Sequence, residues 1–235
     1  MMEATINILC TRPLEDSLVK EAKQKGIAID MLSFIETEPI QNINVQQEVE
    51  QALLQSATIV FTSMNAVDAV VNYKEEHQPD WRIYCIGTTT NKLVKNYFGE
   101  ETIAGTANSA AELAELIAAD RYDEEVIFFC GDQRRDELPD ILRNNDIEVN
   151  EIVVYQTIAV PHRVEKKYNG ILFFSPSAAD SFFSNNKVVG QTVLFAIGNT
   201  TATVIKKYSN NKIIISDEPG KENLVGKMME YFGDV

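Results

Sequence analysis

Four short turns carry the polar groups best placed to do chemistry. They are Phe61-Thr-Ser-Met-Asn65, Ile86-Gly-Thr-Thr-Thr90, Phe174-Ser-Pro-Ser177 and Ile197-Gly-Asn-Thr-Thr201. Each leaves an apolar run and enters a segment of helical spacing through Ser, Thr, Asn or Gly. A helix start offers backbone N–H groups with no partner inside the helix, together with the positive end of its dipole, so it suits a carboxylate or phosphate. In open α/β sheets, ligands collect at the carboxyl ends of the strands. Two such turns in each half of the chain suffice to hold a large anion without many Lys or Arg. Ser, Thr and Asn are also ordinary N-caps, and Ser175-Pro176 is an ordinary helix start with Pro in the first position. Capping alone therefore accounts for any one turn; their recurrence in both halves moves the set towards ligand contact. The cluster Arg134, Arg135, Asp136 and Glu137 reads as a solvated helix face.

The elements that must position these turns are short. Apolar runs at 6–10, 29–35, 58–62, 83–86, 102–104, 126–130, 152–155, 171–174, 193–197 and 213–215 alternate with segments of helical spacing. Continuously apolar strands with helices between them are what a parallel sheet covered on both faces requires, so the class is α/β. In the helix predicted at 109–118, Ala110, Leu113, Ala114 and Ile117 share one face, and Ser109 with Glu112 forms a capping-box pattern. Gly26 is placed to end the helix at 17–25, and Asn144-Asn145 to end the one at 136–145.

The chain also repeats itself. Gly87, Thr89, Thr90, Lys95 and Tyr97 recur 111 residues later as Gly198, Thr200, Thr201, Lys206 and Tyr208. Phe61, Ser63 and Ala66 match Phe173, Ser175 and Ala178 at an offset of 112, and the stretch from Gly26 matches that from Asp146 at 120. A slowly drifting offset is what loop insertions produce. Two diverged copies imply two similar domains with a pseudo-symmetric cleft, and the period is too long for a solenoid array. Extended stretches at 35–40 and 155–160, ending near Pro39 and Pro161, hold equivalent places and read as connections between domains. The pattern leaves open whether each copy folds alone or the copies exchange parts.

Composition narrows the function. The 235 residues include 21 Lys and Arg against 35 Asp and Glu, a net charge of −14. That disfavours binding to nucleic acid or to anionic membranes. No apolar run reaches the length of a membrane span, and the first ten residues do not read as a signal peptide. Three scattered cysteines, Cys10, Cys85 and Cys130, with no CxxC, give neither a disulfide framework nor a thiolate metal site. His77 reads as a solvated helix end beside Glu75 and Glu76 rather than a metal ligand. The chain is expected to be reduced, cytoplasmic and metal-free. P-loop, dinucleotide and nucleophile-elbow motifs are absent, and no His is placed to activate a nucleophile. An enzyme built this way suits a reactive substrate that needs shaping and modest proton help.

Taken together with Cys130-Gly-Asp-Gln-Arg-Arg-Asp-Glu-Leu-Pro139, Val154-Tyr-Gln-Thr157 and Thr11-Arg-Pro13, the four turns resemble the uroporphyrinogen-III synthase family over nearly the whole chain and in the same order. The resemblance implies two α/β domains with parallel sheets flanked by helices, joined by a two-stranded antiparallel connection. Domain 1 would be residues 1–36 plus 157–235, and domain 2 residues 37–156. It implies a lyase that closes the linear tetrapyrrole hydroxymethylbilane to uroporphyrinogen III, losing water and inverting ring D, with no cofactor. It also implies a cytoplasmic monomer acting in porphyrin biosynthesis. Tyr155 matches the family tyrosine and is the implied catalytic residue, its hydroxyl assisting loss of the substrate hydroxyl; a satisfied connection-strand tyrosine is the competing reading. Thr62, Ser63, Asn65, Gly87, Thr90, Ser175, Ser177, Gly198, Thr200 and Thr201 are the implied contacts to substrate carboxylates or pyrrole N–H groups. Arg12 and Arg135 are further carboxylate candidates. The alternative function is a non-catalytic two-lobed binding protein for a small anion or a tetrapyrrole.

Overall fold

Alternating strands and helices run through the whole computed structural model, which describes residues 6–74, 78–120, 125–218 and 220–233. In chain order the elements are β1 (Ile6–Cys10), α1 (Asp16–Gln24), β2 (Ile27–Met31), β3 (Ile35–Pro39), α2 (Ile43–Leu53), β4 (Ala57–Phe61), α3 (Met64–Val71), β5 (Trp81–Ile86) and α4 (Thr88–Phe98). Then come β6 (Ile103–Ala107), α5 (Ala110–Asp120), β7 (Glu125–Gly131), α6 (Glu137–Asn144), β8 (Glu148–Ala159), β9 (Gly170–Phe173), α7 (Pro176–Asn185), β10 (Val193–Ala196), α8 (Asn199–Tyr208), β11 (Ile213–Ile215) and α9 (Lys221–Gly233). His77 lies outside the described residues.

The chain divides into two units, Met1–Glu36 with Ile158–Val235, and Thr37–Thr157. The first holds a five-stranded sheet in the order β11-β10-β9-β1-β2; a six-stranded sheet runs β3-β8-β7-β4-β5-β6. Read from β2 and from β8, the two orders coincide, with β3 added. The duplication seen in the sequence is thus a duplication of sheet order. Apart from β3, the registered pairs are parallel. Strand β3 runs against β8: the Ile40 N–H donates to the Val154 carbonyl and the Val160 N–H to the Phe34 carbonyl, both at 2.9 Å. Both strands cross the boundary between the units.

Each sheet is buried on both faces, which is why its strands read as unbroken apolar runs. In β1, Ile8 and Cys10 pack with Leu224 and Met228 of α9, while Leu9 between them packs with Ala178 and Phe182 of α7. In β4, Ile59 and Phe61 pack with Val49, Val67 and Val94, while Val60 packs with Leu113 and Leu142. Fully burying side chains of this size contributes about 2 kcal/mol each.

Several expected boundaries move. The run at 29–35 is not one strand. The Leu32 N–H makes a last bond to the Cys10 carbonyl, Phe34 turns fully into the core, and β3 begins in the other sheet. The strand expected at 102–104 starts one residue later and is preceded by a 3₁₀ turn, Glu100–Thr102. The helix beginning near Ser109 forms half of the expected capping box, with the return bond displaced by one residue to Asn108. The Glu112 N–H donates to Ser109 Oγ at 3.2 Å, and the Glu112 carboxylate accepts from the Asn108 N–H at 3.1 Å. Gly26 follows α1 with φ +75°, but after α6 the left-handed residue is Asp146, φ +60°, and not Asn144 or Asn145. Asp tolerates this conformation, and its repeat partner is Gly26 itself.

All three cysteines are free and buried. Burial pushes the Cys10 thiol up to about 11 and the Cys130 thiol up to about 12. Because the thiolate is the nucleophile, none is expected to react with iodoacetamide at pH 8 in the native protein, and all three on unfolding. Mass spectrometry that finds any adduct after native labelling would contradict this. Among the described residues no group of His, Cys, Asp and Glu is placed to hold a metal ion, and no helix is long and apolar enough to cross a membrane.

Candidate active site

In the second unit, the expected residues meet at the carboxyl ends of four adjacent strands, β8-β7-β4-β5. Thr62 and Ser63 follow β4. Ser63 adopts an extended N-cap conformation and its Oγ accepts from the Asn65 N–H at 3.2 Å, starting α3. Gly87 follows β5 with φ +79° and ψ +159° and caps α4. Its own N–H is committed to the Ala107 carbonyl at 3.1 Å, so the N–H groups left open there belong to the residues after it. Arg135 follows β7 and is exposed, whereas its neighbour Arg134 is engaged by Asp136 and Glu151.

Tyr155 lies on β8 directly opposite Gly131, the last residue of β7. Its ring covers that glycine: a Cβ built there would sit 2.6 Å from Cε2 and 2.8 Å from Oη of Tyr155. Gly131 is thus the floor on which the tyrosine rests. Residue type alone does not mark Gly131; its sequence signal is its place at the end of an apolar strand, one step before Asp132.

In the first unit, the corresponding edge is formed by β1, β9 and β10. Thr11 is buried and locks the exit of β1 to β9, its Oγ1 donating to the Leu172 carbonyl at 2.8 Å. The exposed Arg12 places its guanidinium 5.7 Å from the centre of the Phe174 ring. Ser175 caps α7, its Oγ accepting from the Ala178 N–H at 3.1 Å, with Pro176 in the first turn and Ser177 half-buried after it. Gly198 is fully extended, φ −174°, and precedes α8, where Thr200 is exposed.

Thr90 and Thr201, repeat partners, are 5% and 1% exposed and sit beneath their helix starts. The Thr201 hydroxyl has no hydrogen-bond partner among the described residues. The groups facing solvent at these two starts are instead Thr88, Thr89, Asn199 and Thr200.

Electrostatics separate these starts from most others. No acidic residue occupies the first turn of α3, α4, α7 or α8. The first turns of α1, α5, α6 and α9 do carry one or more, the usual arrangement against a helix dipole; α2 is free of them as well. In so acidic a chain, acid-free starts leave the positive dipole end open to an outside anion. The charge is also unevenly divided. The first unit holds 13 acidic and 13 basic residues, the second 22 and 8, so the second carries all of the −14.

The paired glycines differ in what they demand. The Gly87 conformation is almost confined to glycine, and an L side chain there costs about 1–3 kcal/mol. The extended backbone of Gly198 suits any residue, and a Cβ at either position meets nothing within 4 Å. Gly87→Ala is therefore expected to lower stability by about 2 kcal/mol, and Gly198→Ala by under about 0.5 kcal/mol. Urea midpoints compare them, and equal losses would refute the assignment.

These features define a two-unit α/β protein built by duplication, whose strand ends and acid-free helix starts are suited to a polyanionic ligand. A family model described as uroporphyrinogen-III synthase HemD matches residues 16–226. The curated porphyrin biosynthesis protein HemD of Ruminiclostridium josui is 26% identical over 246 residues, covering 96% of this chain and 48% of that protein. The chain thus spans about half the length of that curated relative. The uroporphyrinogen-III synthetase of Helicobacter pylori superposes with a TM-score of 0.69 at 16% identity, over 97% of this chain and 100% of that one. A mutant uroporphyrinogen III synthase of Thermus thermophilus gives 0.62 at 12% identity, over 97% of each. At such identities the two structures show a shared fold. The chain belongs to the uroporphyrinogen-III synthase family.

Proposed function

We propose that this chain closes hydroxymethylbilane to uroporphyrinogen III, a cyclising lyase reaction in porphyrin biosynthesis. The observation that carries the reading is Tyr155, held over Gly131 at a strand edge beside acid-free helix starts, in a chain of this family. The substrate is a polycarboxylate whose hydroxymethyl group leaves readily to give a stabilised cation. The C–O bond breaks, the departing oxygen leaves as water, and a pyrrole carbon forms the closing C–C bond. What the protein must add is geometry, because unassisted closure gives the uninverted type I ring. Holding a near-attack conformer is the main lever for such a step. The helix starts after β4, β5, β9 and β10 are read as carboxylate subsites, with Ser63 and Ser175 ordering them and Arg12 and Arg135 adding charge-assisted contacts. The Tyr155 hydroxyl donates a hydrogen bond to the departing hydroxyl. Nothing in this chemistry calls for a metal or an organic cofactor, and the reading takes the chain to act as a cytoplasmic monomer.

The net charge of the second unit opposes a polyanion, and what favours one is local: the acids are kept out of the first turns of α3 and α4. The deciding experiment supplies hydroxymethylbilane to the protein, oxidises the product and identifies the porphyrin isomer. Type III in excess of the spontaneous background is expected; type I alone, at the spontaneous rate, overturns the proposal.

A further inference from the structure

The residue after Gly131 holds the tyrosine strand from two sides. The Asp132 N–H donates to the Tyr155 carbonyl at 3.1 Å, and Asp132 Oδ1 accepts from the Thr157 N–H at 2.9 Å. These bonds bracket Tyr155, Gln156 and Thr157 at the point where the regular ladder fails. Cys130 lies opposite Val153 and Gly131 opposite Tyr155, so Val154 is an extra residue in β8. That is a β-bulge, which leaves a ladder locally unpaired and re-aims the side chains beside it. The consequence is visible in the packing. Ile152, Val154 and Tyr155 all lie against the core around Phe61 and Trp81, while Val153 packs on the opposite face. In a regular strand Val154 and Tyr155 would point to opposite faces. The bulge brings them to one face, and so lays Tyr155 on Gly131.

We infer that Asp132 is a positioning residue for Tyr155, fixing the bulge through its carboxylate bond to the Thr157 N–H. It acts through the strand backbone and not on the substrate. A carboxylate in this place supplies the acceptor that the bulge takes from the ladder; without it the Thr157 N–H turns to solvent and the 155–157 segment loses its register to the end of β7. The inference rests on the catalytic role proposed above for Tyr155.

The test compares Asp132→Ala, Asp132→Asn, Tyr155→Phe and the Asp132→Ala/Tyr155→Phe double variant in the full chain. It follows kcat and KM for hydroxymethylbilane and hydrogen exchange at the Thr157 amide. Asp132→Ala is expected to lower kcat about tenfold, the scale of one hydrogen bond to a charged group, with KM nearly unchanged and Thr157 protection lost. Asp132→Asn keeps the Oδ1 acceptor and is expected to restore both. The double variant is expected to be no slower than Tyr155→Phe alone, because residues acting as a unit are not additive. Unchanged kcat in Asp132→Ala, equal damage in Asp132→Asn, or fully additive losses would each overturn the inference. If Tyr155→Phe is slow while Asp132→Ala is not, only the positioning role falls. If Tyr155→Phe keeps full activity, the tyrosine role falls and this inference with it. Retained Thr157 protection in Asp132→Ala refutes the inference without reference to activity.

Discussion

Gly131→Ala is expected to lower formation of uroporphyrinogen III about a hundredfold or more and to raise KM. The added methyl would enter the space held by the Tyr155 ring, 2.6 Å from Cε2 and 2.8 Å from Oη, far inside contact distance. Three features keep the clash from relaxing away. Gly131 is buried, β7 is paired on both sides by β4 and β8, and the backbone of Asp132 is tied to the Tyr155 carbonyl. The yielding group is the half-buried tyrosine, which must swing off its floor and out over the strand ends. A displacement of about 1 Å at a reacting group costs on the order of a hundredfold. Here the displaced ring also intrudes where the proposal seats the substrate, so binding weakens together with turnover. Overpacking adds a stability loss of about 1–3 kcal/mol, which a melting curve separates from the catalytic effect. Wild-type kcat and KM in a folded Gly131→Ala protein would show that Tyr155 does not act from its place on Gly131.

The contact behind that expectation could not be read from residue types, whereas much of its setting could. β1 and β11 stand at the limits that their apolar runs mark, because a strand covered on both faces must be apolar throughout. β8 illustrates the opposite case. Only 152–155 read as strand, yet it spans Glu148–Ala159, since Glu148, Asn150 and Gln156 face solvent and break the run. The apolar run at 29–35 bridges β2 and β3 because Phe34, between them, is a core residue as buried as any in a strand. The repeat carried more information than single motifs. Its pairing of Gly26 with Asp146 marks two left-handed residues, where residue type alone pointed to the Asn144-Asn145 pair. At the site, the four strand-to-helix turns are where spacing put them. Burial of Thr90 and Thr201 was not legible, because the third residue of a helix points inward or outward according to how that helix rolls on its sheet. The bulge at Val154 was hidden for a related reason: an extra residue in one strand shows only against its partner's register.

Tyr155→Phe is expected to act differently from Gly131→Ala, and the difference is informative. Phenylalanine keeps the ring on Gly131 and the packing against the core around Phe61, so folding and KM should change little. What is lost is one hydroxyl. If that hydroxyl donates to the departing oxygen, its contribution is that of a positioned general acid, on the order of 10²-fold, and kcat should fall by about that factor. The substrate's own reactivity sets the floor, since the leaving group still departs without the tyrosine's help. The isomer result then follows from competition. Each molecule the variant processes should still close with inversion, because folding of the tetrapyrrole depends on the carboxylate subsites and not on the tyrosine. Type I should rise only because spontaneous closure now keeps pace with the slowed enzyme. Raising the enzyme concentration should therefore restore type III in Tyr155→Phe. It should not fully do so in Gly131→Ala, where the displaced ring disturbs seating itself. A Tyr155→Phe protein with unchanged kcat would leave the tyrosine a connection-strand residue with a structural duty alone. A product that stays type I at high enzyme would move its role from proton donation to control of which pyrrole carbon attacks.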